Sequence, residues 1–218
     1  MRTILRALAL SVCGLALAGS AYASDDAPCC GPITDAARAL ERKLDATGVD
    51  HLWLPGHHVD WRTGEPDSDA VDNGHGNATH CSAFAASVAE SFGAYLLRPP
   101  QHSQILLANA QTSWLDGPDA VKQGWRKVGS MREAQALANE GRLVVASFRS
   151  PNPKKPGHIA ILRPSTKSAA DLERDGPQIT QAGFTNALST TVRKGFGKHH
   201  GAWPDGIGYY AFTPGGGS

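Results

Sequence analysis

The sequence has little net charge and few cysteines. Its formal charge is only +1 over 218 residues, so nothing in it favours binding to nucleic acid or to an anionic surface. Its four cysteines are too few for a disulfide framework, and a bond between the neighbours Cys29 and Cys30 would be strained. Repeats and low-complexity blocks are absent, apart from a terminal GGGS. These features favour one globular domain.

Long apolar runs are also lacking. The run from Ala7 to Ala18 is shorter than the ~20 residues that cross a bilayer, and it ends before a small-residue site at Ala21-Tyr22-Ala23. Two arginines precede it, which is typical of a secretory signal peptide. We therefore expect a leader over 1–23, one domain over 24–214 and a flexible tail over 215–218. The expected protein is a periplasmic or secreted monomer without a membrane span.

The hydrophobic pattern changes period along the chain. Apolar residues recur at helical spacing in 33–48, 79–98, 102–115 and 130–141, and extended apolar segments follow at 142–148, 157–164, 177–183 and 206–212. The segment 51–76 is rich in Gly, Pro, Asp and His and predicts a long surface loop. We predict an α+β fold, with helices of the N-terminal half packed on an antiparallel sheet from the C-terminal half.

Cys81 stands at the start of the helix predicted after Thr79, which is a candidate N-cap. Unpaired N–H groups and the macrodipole at a helix N-terminus stabilise a thiolate. A nucleophilic thiol also needs a base, and His158 opens a predicted strand directly after Gly157. Cys81 and His158 are therefore the candidate nucleophile and base.

A third polar group must orient the imidazole. The next predicted strand and its end carry Gln178, Gln181 and Asn186. Gln178 and Gln181 lie on opposite faces of an extended segment, so at most one of the two can serve. The residues alone do not decide whether Gln181 or Asn186 orients the imidazole.

These segments carry a family resemblance. Cys-Ser-Ala-Phe at a helix start, then GRLVVASF and GHIAIL, resemble the papain-like peptidoglycan amidases of the NlpC and CHAP type over residues 75–190. The resemblance implies a papain-like fold and cleavage of peptide amide bonds in peptidoglycan. It implies that Cys81 is the nucleophile and His158 the base, with Gln181 ranked before Asn186 as the orienting residue.

The implied acyl transfer needs donors for the oxyanion. The backbone N–H of Cys81 is one candidate, and Asn77 and His80 are candidates for the second donor because they are near in sequence. The remaining histidines show no ligand pattern such as H-E-x-x-H, so we expect neither a metal nor a cofactor.

Two other functions use the same residues. A cell-wall peptide-binding module could carry the fold with the Cys-His pair misaligned, and an acyltransferase resembling transglutaminases could pass the acyl group to an amine. A preformed thiolate would react with iodoacetamide well below the ~8.5 pKa of a free thiol. That reaction is expected of the enzyme and not of the binding module.

Overall fold

The computed structural model describes residues 28–67 and 79–215. This part of the chain contains seven helices and six strands. In chain order they are α1 (Asp35–Asp45), α2 (Cys81–Ser91), α3 (Leu107–Leu115), α4 (Pro118–Lys122), β1 (Trp125–Val128), α5 (Met131–Asn139), β2 (Val144–Phe148), β3 (His158–Leu162), α6 (Ala169–Asp175), β4 (Gln178–Gln181), β5 (Ala187–Thr191), α7 (Val192–Gly195) and β6 (Gly208–Phe212).

The six strands form one antiparallel sheet in the order β1-β6-β2-β3-β4-β5. Alternate residues of the central strands β2, β3 and β6 enter two different cores. Ile159 and Ile161 of β3 pack with α2 on one face, whereas Ala160 and Leu162 belong to the core that contains residues of α5 and α7. The prediction of an α+β fold with an antiparallel sheet is confirmed.

The elements are less segregated along the chain than expected. The four predicted strands correspond to β2, β3, β4 and β6, but β1 and β5 were missed, and α6 and α7 lie between strands of the C-terminal half. Helices of seven and four residues are too short to show a helical period. Only their N-caps, Ser168 and Thr191, could have signalled them.

Helix α2 lies close to the sheet because its residues are small. Ala83, Ala85 and Ala86 are fully buried, and Phe84 between them packs edge-on against Trp53 with ring centroids 5.3 Å apart. Helix α2 and strand β3 are therefore in direct contact. This contact holds the first turn of α2 near the start of β3.

The prediction of a loop over 51–76 is confirmed for its described part, residues 51–67, which contains no helix or strand, but its location at the surface is wrong. Trp53, Val59 and Trp61 are buried in the core that contains α2. A β-bridge joins Val59 to Pro66, and Gly64 leaves no room for a Cβ beside the Trp53 ring. The abundance of polar and turn residues hid these isolated apolar anchors.

Cys29 and Cys30 form a disulfide, contrary to the expectation from their strained vicinal pairing. Polar contacts fix the backbone on both sides of the bond. The Cys29 N–H donates to the Lys167 carbonyl at 2.9 Å, and buried Asn139 Nδ2 donates to the Cys30 carbonyl at 3.2 Å. No local sequence pattern indicates these long-range partners. None of the helices within 28–67 and 79–215 is long and apolar enough to cross a bilayer.

Candidate functional site

Cys81 is the first residue of α2, and its thiol is 4% exposed. The N-cap position is occupied by His80 rather than the predicted Thr79, and the His80 side chain accepts no hydrogen bond from the first-turn amides. Phe84 N–H is the first amide of the helix to bond back, to the His80 carbonyl. The amides of the first turn therefore remain available near the thiol.

Burial raises the pKa of the Cys81 thiol to about 11. Backbone hydrogen bonds from Ile159, Ser82 and Cys81 itself favour the thiolate and oppose this rise, but they do not outweigh desolvation. The resting thiol is thus protonated at neutral pH, so the preformed thiolate that the sequence analysis expects of an enzyme is not present in the folded chain. The contact with Ile159 also places the thiol beside the residue that follows His158.

His158 opens β3 and is 3% exposed. The preceding Gly157 is required because a Cβ there would collide with the Phe148 carbonyl and come within 2.6 Å of Asn109 Oδ1. The His158 ring meets Gln181 of the neighbouring strand, with 3.0 Å between His158 Nε2 and Gln181 Oε1. The structure therefore brings together the predicted base and the first-ranked orienting residue.

The contacts of Gln181 assign the imidazole tautomer. Gln181 Nε2 donates to the Thr185 carbonyl at 2.9 Å, which fixes the amide with Oε1 towards His158. A carbonyl oxygen only accepts, so His158 Nε2 carries the hydrogen and Nδ1 of the neutral ring keeps its lone pair. His158 is consequently oriented to accept a proton at Nδ1.

Two glycines leave space for this pair. A Cβ at Gly183 would lie 3.0 Å from His158 Cε1. A Cβ at Gly195, the last residue of α7, would collide with Gln181 Oε1 and lie 2.7 Å from Ile179 Cδ1. The absence of side chains at these positions is thus part of the site.

His199 is a site residue that the sequence analysis missed. Its ring stacks on His158 with centroids 4.9 Å apart and planes 9° from parallel, and Phe196 meets His158 edge-on at 4.6 Å. Burial, then the charge of nearby His199, lower the pKa of His158 to about 4, against the Gln181 hydrogen bond. Only the aromatic composition of the segment Phe196–His200 could have indicated this packing.

Both members of the candidate pair are neutral at rest. Among the hydrogen bonds of residues 28–67 and 79–215, none joins the Cys81 thiol to the His158 imidazole. A high thiol pKa and a low imidazole pKa both oppose a thiolate–imidazolium pair. Any nucleophile must therefore be generated by proton transfer during the reaction.

The hydrogen bonds of Asn186 are to backbone groups and not to the imidazole. Its Nδ2 donates to the carbonyls of Val49, Leu52 and Trp53, and its Oδ1 accepts from Gly183 N–H. The Asn186 side chain therefore ties the turn after β4 to the segment that follows α1.

The oxyanion candidates differ in what they can donate. Asn77 lies outside the described residues. His80 Nε2 lies 2.7 Å from the His57 carbonyl and so donates to it, and burial lowers the pKa of His80, which leaves Nδ1 a bare acceptor. The backbone N–H of Cys81 stays available in the uncapped first turn.

Cys81 borders a cleft of about 560 Å³. Its lining also includes residues of three segments of the chain, among them His57, Val59 and Asp67, Gln104 and Leu107, and Pro156. This volume is suited to a few residues of an extended peptide. Within the described ranges, no group of three or more His, Cys, Asp or Glu side chains could hold a metal ion.

Comparison with known proteins gives no family for this chain. No protein-family model matches the sequence, and no curated protein matches it. The family resemblance therefore depends on the residues and motifs described above.

The thiol pKa makes a prediction for alkylation. We expect iodoacetamide to modify Cys81 of the folded protein expressed without residues 1–23 at pH 7 about 100-fold more slowly than the same residue in guanidinium, because burial raises the thiol pKa from 9.0 to about 11 and leaves proportionately less thiolate. Mass spectrometry of the time course measures both rates. Since Cys29 and Cys30 are paired, the label reports Cys81. Equal rates would contradict the buried, protonated thiol.

Gly195→Ala tests the support of Gln181. We expect it to displace the amide, lower the free energy of unfolding by about 1–3 kcal/mol, and convert His158 from one tautomer to a mixture. Long-range ¹H–¹⁵N NMR of the imidazole measures the tautomer, and denaturant unfolding measures stability. Gly129→Ala is the control, because its Cβ would meet only Glu133 Oε2, at 3.5 Å. An unchanged Nε2–H tautomer in Gly195→Ala would show that Gln181 does not depend on this space.

Proposed function

We propose that the chain is an exported, papain-like cysteine amidohydrolase that cleaves peptide amide bonds in peptidoglycan. The single observation that carries this proposal is the His158–Gln181 hydrogen bond, with its fixed direction, at the strand start beside Cys81. It supplies an oriented base next to a thiol at a helix N-terminus, which is the arrangement that acyl transfer requires.

Proton transfer begins the mechanism. His158 Nδ1 takes the Cys81 proton as sulfur attacks the substrate carbonyl, which forms the S–C bond and moves charge to the carbonyl oxygen. Gln181 Oε1 accepts from Nε2–H throughout and stabilises the imidazolium that forms. A neutral amide stabilises this cation less than a carboxylate would, consistent with the low pKa of His158.

Collapse of the tetrahedral intermediate completes the exchange. First-turn amides of α2, with the Cys81 N–H foremost, hold the oxyanion. His158 returns the proton from Nδ1 to the leaving amine as the C–N bond breaks. Water, deprotonated by the same nitrogen, then hydrolyses the thioester and regenerates the thiol. An amine that intercepted the thioester would make the protein an acyltransferase.

Peptidoglycan as the substrate comes from the family resemblance, together with the leader predicted over 1–23. The open cleft beside Cys81 is compatible with a peptide strand. Periplasmic or secreted localisation and a monomeric state belong to the same proposal.

A non-catalytic peptide-binding module is the second candidate. The raised thiol pKa and the missing thiol–imidazole hydrogen bond in the described chain both favour it. On this alternative, Cys81 would contribute to the wall of the cleft and not to chemistry.

Digestion of purified peptidoglycan tests the enzyme directly. We expect the mature protein to release peptide fragments, with loss of release in Cys81→Ala, at least about a 10³-fold decrease in His158→Ala and about a 10- to 100-fold decrease in Gln181→Ala. Mass spectrometry of the fragments identifies the bond and, with added amine, any acyl transfer. Binding to the wall without cleavage by the wild type would favour the module. Neither binding nor cleavage would reject peptidoglycan as the substrate.

The pH profile follows from the two pKa values. Catalysis needs neutral His158, so kcat/KM should fall as pH decreases through about 4, where the imidazole becomes protonated. No decrease is expected between about pH 6 and 9, because the thiol pKa of about 11 lies above this range. Initial rates of fragment release measure the profile, and circular dichroism at each pH controls for unfolding. A bell-shaped curve with a limb near neutral pH would contradict a neutral pair.

A further inference from the structure

Two basic segments without acidic residues lie near His158. Residues 149–156 contain Arg149, Lys154 and Lys155; residues 193–200, which comprise the end of α7 and the chain after it, contain Arg193, Lys194 and Lys198; neither segment contains Asp or Glu. The whole chain has a charge of only +1, so this concentration is local. The small net charge of the whole chain conceals this local excess of positive charge.

The two segments meet at a second cavity of about 280 Å³. Lys155 and Lys198 lie on its lining and form no ion pair with any described residue. Its lining also includes Phe148, Phe184, His199 and His200. Lys198 Nζ lies 5.5 Å from the centroid of the half-exposed Phe184 ring. The cavity therefore combines unpaired cations with aromatic walls.

This second cavity, which we call the carboxylate cavity, adjoins the candidate site through two residues. His199 lines it and stacks on His158. Pro156 borders both this cavity and the Cys81 cleft. A peptide that crosses the cleft at Cys81 would thus place a neighbouring residue beside Lys155 and Lys198.

We propose that the carboxylate cavity binds a carboxylate of an acidic peptide substrate, on the His158 side of the bond to be cleaved. This inference rests on the proposed function and specifies its substrate class. The ammonium groups of Lys155 and Lys198 attract the carboxylate, and the rings of Phe148 and Phe184 contact its aliphatic stem. Low-dielectric walls concentrate the field of the cations within the cavity.

A nucleic acid fits these observations less well. Its recognition depends on many phosphate contacts along an extended basic surface. Here the positive charge is confined to a small cavity next to an acyl-transfer base. One acidic side chain or terminal carboxylate matches that size and position.

The first experiment measures binding without turnover. The Cys81→Ala protein is titrated with a short glutamate oligomer and with the matching glutamine oligomer, and NMR follows the amides of 149–156 and 193–200. We expect shifts with the glutamate oligomer only, and about tenfold weaker binding in Lys155→Gln/Lys198→Gln. The matched control is Lys154→Gln/Lys194→Gln, because it also removes two positive charges from the same two segments, at residues outside the cavity lining. Raised salt should weaken the binding.

Three results would overturn the proposal. They are no preference for glutamate, equal binding by the double variant, and equal shifts with a phosphate polymer of similar charge, which would indicate a general anion surface.

The second experiment separates this proposal from the proposed function. Cys81→Ala is sedimented with native peptidoglycan and with peptidoglycan whose carboxyl groups have been amidated. Tighter binding to native wall, lost in the double variant and kept in the matched control, supports both proposals. Glutamate binding without wall binding keeps the carboxylate cavity and rejects peptidoglycan. Equal binding to both walls, unaffected by the double variant, rejects the cavity and leaves the cell-wall substrate standing.

Discussion

The hydrogen bond between His158 and Gln181 is the constraint on which the candidate site depends. Its direction is imposed from outside the pair, since the Thr185 carbonyl occupies the other end of the Gln181 amide. Gly183 and Gly195 then leave space that any side chain would fill. Phe196 and His199 complete the enclosure by holding the ring edge-on and face-on. The imidazole is consequently limited to one plane and one tautomer, which leaves Nδ1 as its only basic nitrogen.

Enclosure of the imidazole also determines its charge. The same burial that orients the ring removes water from it, and desolvation is the largest cause of its lowered pKa. Burial also disfavours the charged form of the Cys81 thiol, and because that form is an anion, the thiol pKa is raised rather than lowered. An active site built this way is inert at rest, in contrast to one with a preformed thiolate. Positive charge is instead found at the surface beside it, on Lys155 and Lys198.

The sequence predicted those parts of the molecule that local patterns encode. β-branched runs located the strands of His158 and Gln181, and helical spacing located α2. Pairing of Gln181 rather than Asn186 with the imidazole needed the register of β4 against β3, in which Ile161 pairs with Thr180 and Leu162 with Ile179. The stack of His199 on His158 needed the return of the chain after α7. Both depend on tertiary contacts between distant residues, for which a single sequence has no periodic signal.

The disulfide between Cys29 and Cys30 has a consequence for Cys81. Removal of the leader predicted over 1–23 would take Cys13 away and leave three cysteines, an odd number, and any bond to Cys81 would block the candidate nucleophile. Neighbouring cysteines close the shortest possible loop and lose little chain entropy, whereas a bond to Cys81 would close a loop of about fifty residues. Once paired, Cys29 and Cys30 can no longer compete for Cys81 except by exchange. In an oxidising compartment, Cys81 would therefore stay reduced, because the adjacent Cys29 and Cys30 pair with each other and leave it no intramolecular partner.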